Sequence, residues 1–192
     1  MPSDLQVDNI KDKSATKTLA TLSSSAVTLH SDVTFPAGTI INYKFVQIGV
    51  AELSGTYTRF NVLSAATSTQ GLQVLTTSFT PKSDNSKIFC QAQLFVQEDN
   101  NNTDLAIAAL FVDTTNLSQQ QNNDRSITGN FEHVVATLSG EFTNSSTTAK
   151  TIQIRASAGN NTPVNINITN LYTAVITDQY VRSGLSIFEV QQ

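Results

Sequence analysis

Tryptophan is absent from this chain, cysteine occurs once and histidine twice. With Cys90 alone no intrachain disulfide can form, which fits synthesis in a reducing compartment. Charge is thin as well: charged residues are 14% of the chain, and 11 basic against 15 acidic residues leave a formal net charge of −4. The basic residues are scattered singly, without the stripe that neutralises phosphates, so nucleic acid is not an expected partner. No apolar run reaches the roughly eighteen residues of a membrane-spanning helix. The opening MPSDLQVDNIKDK carries Asp4, Asp8 and Asp12 and no apolar signal core, so neither Sec export nor membrane insertion is expected.

Catalytic signatures are missing in the same way. There is no glycine-rich phosphate loop, no serine nucleophile elbow and no paired-carboxylate setting. Cys90 alternates with Ile88 and Ala92 and reads as a small buried hydrophobe, because a reactive thiol needs an electropositive, partly exposed setting. His30 and His133 have no second ligand at metal spacing, and His133 sits between Phe131 and Val135 in a strand-like run. Asp99, Asn101 and Asp104 gather oxygen ligands in one tract, but without the glycine and terminal glutamate of a calcium loop they read as a solvated turn. Asn101, Asn116, Asn144 and Asn167 each begin a glycosylation sequon, which a chain so rich in these residues produces by chance. Tyr43, Tyr57, Tyr172 and Tyr180 are dispersed and read as strand packing rather than a sugar platform. The expectation is a non-enzymatic protein with no catalytic, cofactor-binding or metal-ligating residues.

What the sequence does contain is Ser, Thr and Asn, together roughly a third of all residues, a balance that favours strands and turns over helices. Its 192 residues suffice to bury roughly 70% of the unfolded surface. The central stretch is Ser86 to Asp113. Ile88, Cys90, Ala92, Leu94 and Val96 alternate with Gln91, Gln93 and Gln97, the two-residue period of a half-buried strand. After the polar tract Glu98 to Asp104, the denser run Leu105 to Val112 suggests a second strand covered on both sides, read as the return arm of a central antiparallel hairpin.

Upstream, residues 1–35 hold short β-like pieces, LQVDNI, KTLATL and AVTLH, too sparse in apolar residues to form a core alone. Phe35-Pro36-Ala37-Gly38 reads as a turn and boundary. The expected organisation is therefore an N-terminal attachment or oligomerisation segment, 1–38, and a β-domain, 39–192. Strands are expected over 39–50, 56–63, 72–80, 127–142, 150–156, 164–168 and 185–190. Asn116 to Arg125 reads as a polar loop, and Leu171 to Tyr180 as the one segment compatible with a turn or two of helix. About eight strands after residue 38, with turn signals roughly every 8 to 12 residues, imply an all-β antiparallel β-sandwich, and strand number favours a jelly roll.

Two passages carry a resemblance. LQVDNIKDKSATKTLATLSSSAVTLHSDVTFPAGTI, residues 5–40, resembles the N-terminal segment of virion appendage proteins of marine bacteriophages, cyanophages among them. TSFTPKSDNSKIFCQAQLFV at 77–96, SSTTAKTIQIRAS at 145–157 and the closing SIFEV at 186–190 are similar to the C-terminal β-sandwich modules of tail-fibre-like proteins. The resemblance implies a structural virion protein of a bacteriophage: a homotrimer made in the host cytoplasm, with a jelly-roll head resembling tumour-necrosis-factor-like modules. Its N-terminal segment would dock on other capsid or tail proteins. Because the chain has no long shaft repeat, a capsid decoration, short head fibre or tail-accessory subunit stands beside a tail fibre. The alternative is a host-receptor module that binds surface glycan through loops such as Asn100–Thr103, Gln119–Arg125 and Thr143–Thr148.

Overall fold

A computed structural model describes residues 9–11, 18–22, 27–29, 35–49, 51–53, 55–60, 64–98, 107–121, 133–157, 164–166, 169–171, 174–176 and 183–192. Every regular element among them is a strand. The chain divides into two compact units, Met1–Ala37 and Gly38–Gln192. In the first, β1 (Asn9–Lys11), β2 (Thr18–Leu22) and β3 (Val27–Leu29) form a three-stranded antiparallel sheet in chain order, with Ala20 buried.

The second unit opens at a turn where Gly38 takes φ +88°, a conformation that glycine adopts without a Cβ penalty. Eight long strands follow: β4 (Ile40–Ile48), β6 (Leu72–Phe79), β7 (Ser86–Glu98), β8 (Ile107–Val112), β9 (Thr115–Gln121), β10 (His133–Asn144), β11 (Lys150–Ser157) and β15 (Ser183–Gln191). Between them lie four short ones, β5 (Ala51–Leu53), β12 (Val164–Ile166), β13 (Thr169–Leu171) and β14 (Ala174–Ile176). Among the long strands the first pairs with the last, the second with the seventh, the third with the sixth and the fourth with the fifth, all antiparallel. That nesting is a long hairpin rolled over on itself, the topology of a jelly roll.

Two further pairings complete the layers: β15 with β7, and β11 with β8. One sheet therefore runs β4–β15–β7–β10 and the other β6–β11–β8–β9. The short β12 pairs with Val96–Glu98 of β7, beyond the stretch that β15 occupies, and β5 pairs with β12, so these two prolong the rows of β15 and β4. A separate ribbon joins β13 and β14.

The layers meet through the alternating residues of their inner faces. Ile88, Cys90, Ala92, Leu94 and Val96 of β7, with Leu138 of β10 and Leu185 and Ile187 of β15, pack with Leu110 of β8 and Ile152 and Ile154 of β11. Each fully buried Ile or Leu contributes roughly 1.5–3 kcal/mol relative to exposure. Strand β8 is buried on both faces, since Phe111 and Ala109 point away from this core and pack with Phe60 and Ala66 of the covering segments 55–60 and 64–71.

Side chains stitch the corners where the sheets part. Asn42 Nδ2 donates to Thr80 O at 3.0 Å and Lys44 Nζ to Ser78 O at 2.7 Å, tying β4 across to β6. Opposite, Gln120 Oε1 accepts from Thr137 N–H at 2.6 Å and Ser118 Oγ from Ser139 N–H at 3.3 Å, satisfying edge donors of β10. Such covered edges offer little to a foreign strand.

Several sequence expectations are corrected. No hairpin joins β7 and β8, which lie in opposite sheets. Asn116 to Gln121 belongs to a strand rather than a loop, because its polar side chains find partners: Asn116 and Gln119 hold the backbone of Ala66, while Ser118 and Gln120 hold β10. Residues 56–60 form no strand and serve as cover for β8. The stretch from Leu171 is not helical where described, contributing strand residues to β13 and β14. Thr143 and Asn144 extend β10 instead of opening a loop. Residues 99–106, 122–132 and 177–182 lie outside the described residues.

Candidate interaction surface

The outer face of the β4–β15–β7–β10 sheet is built in rows across the strands. Tyr43, Phe188, Phe89 and Glu141 are paired neighbours in one row. The next holds Phe45, Ser186, Gln91 and Ser139, the third Gln47, Gly184, Gln93 and Thr137, and beyond them Phe95 faces Val135. The alternation that turns Ile88 to Val96 inward turns these side chains out. Tyr43 is 54%, Phe45 56% and Val135 50% exposed.

Aromatic rings form a ridge at one end of this face. The Tyr43 and Phe188 rings stand 5.0 Å apart at 38°, a tilted contact of the kind that adds stability beyond area burial. Phe45 lies across β15 where Gly184 leaves room, since a Cβ there would come within 2.9 Å of Phe45 Cε2. Below the ring a furrow of about 520 Å³ runs over Gly184, Ser186, Gln91, Gln93 and Thr137. A neighbouring hollow of about 430 Å³ lies between Phe89, Phe188 and Glu141.

In the row beside Tyr43 and Phe188 the face carries an ion pair, where Lys87 Nζ meets Glu141 Oε1 at 2.8 Å. The furrow presents amides, hydroxyls and rings, groups that bind by contact and by hydrogen bonds donated or accepted equally well. Beneath it Cys90 is 1% exposed, and burial pushes its thiol up to about 12, so no thiolate is populated near neutral pH.

The remaining sequence candidates are dispersed. His133 pairs with Gln97 at the start of β10, and among the described residues no group of three or more His, Cys, Asp or Glu side chains gathers. Asn144 is 2% exposed and donates to Ser83 O at 2.6 Å, so its sequon is closed to a glycan. The Asn116 amide is held by Ala66 O and Gln119. Tyr43 sits on the open face and Tyr57 in the covering loop. His30, Asp99, Asn101, Asp104, Asn167, Tyr172 and Tyr180 lie outside the described residues. Sequence reasoning missed the open face because alternation identifies two faces of a strand without saying which is covered.

No protein-family model matches the chain. No curated protein is similar to it in sequence at a significant level. Among solved structures it is similar to the EclA C-terminal domain, a sugar-binding protein, at 10% identity and a TM-score of 0.33, over 71% of this chain and 80% of that one. At that distance the likeness carries no functional argument.

Proposed function

We propose that the protein is a structural subunit of a bacteriophage particle, a homotrimeric fibre or decoration whose 1–38 segment docks on capsid or tail and whose jelly roll forms the displayed head. The observation that carries this reading is the open sheet face. Its exposed rings would be stabilised by burial, and aromatic enrichment with depletion of charge is the composition of an interface core. A second copy is the occupant that fits: the charges described on the face, Lys87 and Glu141, neutralise one another, so these rows of two copies do not repel around a symmetry axis, and Gln47, Gln91 and Gln93 can each donate to and accept from a symmetry mate. The sequence resemblance at 5–40, 77–96, 145–157 and 186–190 supports the particle and the trimer.

Reconstruction of the intact particle tests the reading, with density for three copies meeting through this face and the N-terminal segments seated on another virion protein as the expected result. A monomeric chain in solution and absence from particles would overturn it.

A second reading is recognition of a bacterial surface glycan. It is favoured by a polar cleft around Arg155, on the opposite sheet, rather than by the loops that composition suggests.

A further inference from the structure

The covering segment 64–71 rejoins the sandwich at Gly71, and a cleft of about 420 Å³ opens there on the outer side of β11 and β6. Thr56, Tyr57, Thr58, Thr69, Gln73 and Arg155 line it. The backbone of the site is fixed. Gly71 N–H donates to Thr58 O at 2.8 Å, Gln70 N–H to Thr67 O at 3.0 Å, and Thr67 N–H to Gln70 Oε1 at 2.9 Å.

Arg155 lies on the outward face of β11, between the inward Ile154 and Ala156. Its Nε donates to Gln70 O at 2.5 Å and its Nη2 to Gly71 O at 2.7 Å. These bonds hold the guanidinium in one orientation and leave both Nη1 hydrogens and one Nη2 hydrogen without an acceptor among the described residues. The ion pairs among those residues, Lys87 with Glu141 and Lys150 with Asp113, do not involve it. Burial lowers its pKa, as expected of a partly desolvated cation with no counter-ion among the described residues.

As a loop staple alone the arrangement is wasteful. Carbonyl oxygens compensate the donors they bind but bring no opposite charge, and a partly buried charge is stabilised when an anion pairs with it. A planar guanidinium with an unused edge matches a carboxylate in two parallel hydrogen bonds. The hydroxyls of Thr56, Thr58 and Thr69, the last also bonded to the Thr67 hydroxyl at 3.2 Å, and the Gln73 amide line the same cleft with groups that donate and accept, the complement of a ring bearing several hydroxyls.

We propose that this cleft binds a carboxylate-bearing sugar, a uronic acid unit within a bacterial surface polysaccharide, with Arg155 clamping the carboxylate and the threonines contacting the ring hydroxyls. The inference rests on the recognition reading and is independent of trimer formation through the other sheet.

Titration of the full chain with trigalacturonate, its methyl ester and acetate tests it by calorimetry. Binding of the acid, weakened at least tenfold by esterification and by Arg155→Gln, is the expected result. Because Arg155→Gln also removes two loop contacts, Thr58→Val provides a variant that keeps them, with several-fold weaker binding expected at an unchanged unfolding temperature. Equal affinity for acid and ester, or unchanged binding in both variants, would overturn the proposal. Acetate competing as well as trigalacturonate per carboxylate would also overturn it, in favour of an acidic peptide. Adhesion to bacterial cells separates the two levels of the argument: equal adhesion by wild type and Arg155→Gln removes the cleft and leaves the recognition reading, whereas loss with Arg155→Gln supports both. No adhesion and no binding of trigalacturonate removes both.

Discussion

The Ser86 hydroxyl donates to Glu189 Oε1 at 2.9 Å, joining the start of β7 to the end of β15. The same carboxylate, fully buried, accepts from Lys82 N–H at 3.0 and 2.8 Å and from Ser83 N–H at 2.9 Å. Asn144 closes the group by donating to Ser83 O. The TPKSDNSKI turn and the closing SIFEV strand are thus complementary halves of one buried polar cluster.

Replacing Glu189 by Gln keeps the shape but sets an amide NH₂ group against donors that need an acceptor. We expect a loss of about 1–3 kcal/mol, and more for Glu189→Ala, which leaves the Lys82 and Ser83 N–H groups without their acceptor while the Ser86 hydroxyl keeps Ser83 O at 3.2 Å. Urea unfolding measures it; a change below about 0.5 kcal/mol would mean that water replaces the carboxylate in this turn.

Gly71 adopts φ +67°, and a Cβ there would lie 2.7 Å from Ala156 O and 2.8 Å from Phe60 Cζ. Gly71→Ala should therefore lose about 1–3 kcal/mol from backbone strain, with the carbonyl clash adding to it. A lower denaturation midpoint, with retained β-sheet circular dichroism, is the expected outcome. Gly38→Ala supplies the contrast: it shares the left-handed backbone but meets no atom within 4 Å, so its loss should be smaller.

Cys90 should resist thiol reagents in the native state and react fully in denaturant. Its pKa also predicts a pH dependence. Folding raises the thiol from 9.0 to about 12, so between these values the unfolded chain has released a proton that the folded chain retains. Stability from this residue is complete below pH 9 and declines toward pH 12, by about 1.4 kcal/mol per pH unit. The stability gap between wild type and Cys90→Ala should close over that interval, as followed by urea unfolding at successive pH values.

Phe45→Asp and Val135→Asp each place a carboxylate on the open face at a half-exposed position. In a symmetric trimer several such charges would be brought together and desolvated, so dissociation to a monomer is expected, with the β-sheet signal unchanged. Sedimentation velocity reads the result. A species of unchanged mass in both variants would assign the face to something other than self-association.

The sequence by itself determined that this is an all-β sandwich. A period of two at Ile88–Val96 and again at Ile152 and Ile154 leaves no alternative face for those side chains, and the unbroken apolar run at 107–112 marks a strand covered twice. It also marked LSIFEV as a strand, β15, which the fold seats between β4 and β7.

Tertiary structure alone decided which strands share a sheet and which face of each is open. Nothing local tells Tyr43 and Phe45 to point outward while Asn42 and Lys44 turn toward the neighbouring β6, because that choice depends on carbonyls of residues 78 and 80 brought near by the roll of the chain. Polar Asn116 to Gln121 becomes a strand for the same reason: its partners, Ala66, Thr137 and Ser139, are distant in sequence. Alternation is a property of a single strand, whereas burial is a property of its neighbours, and the cleft around Arg155 exists only once a loop some 85 residues earlier has folded onto it.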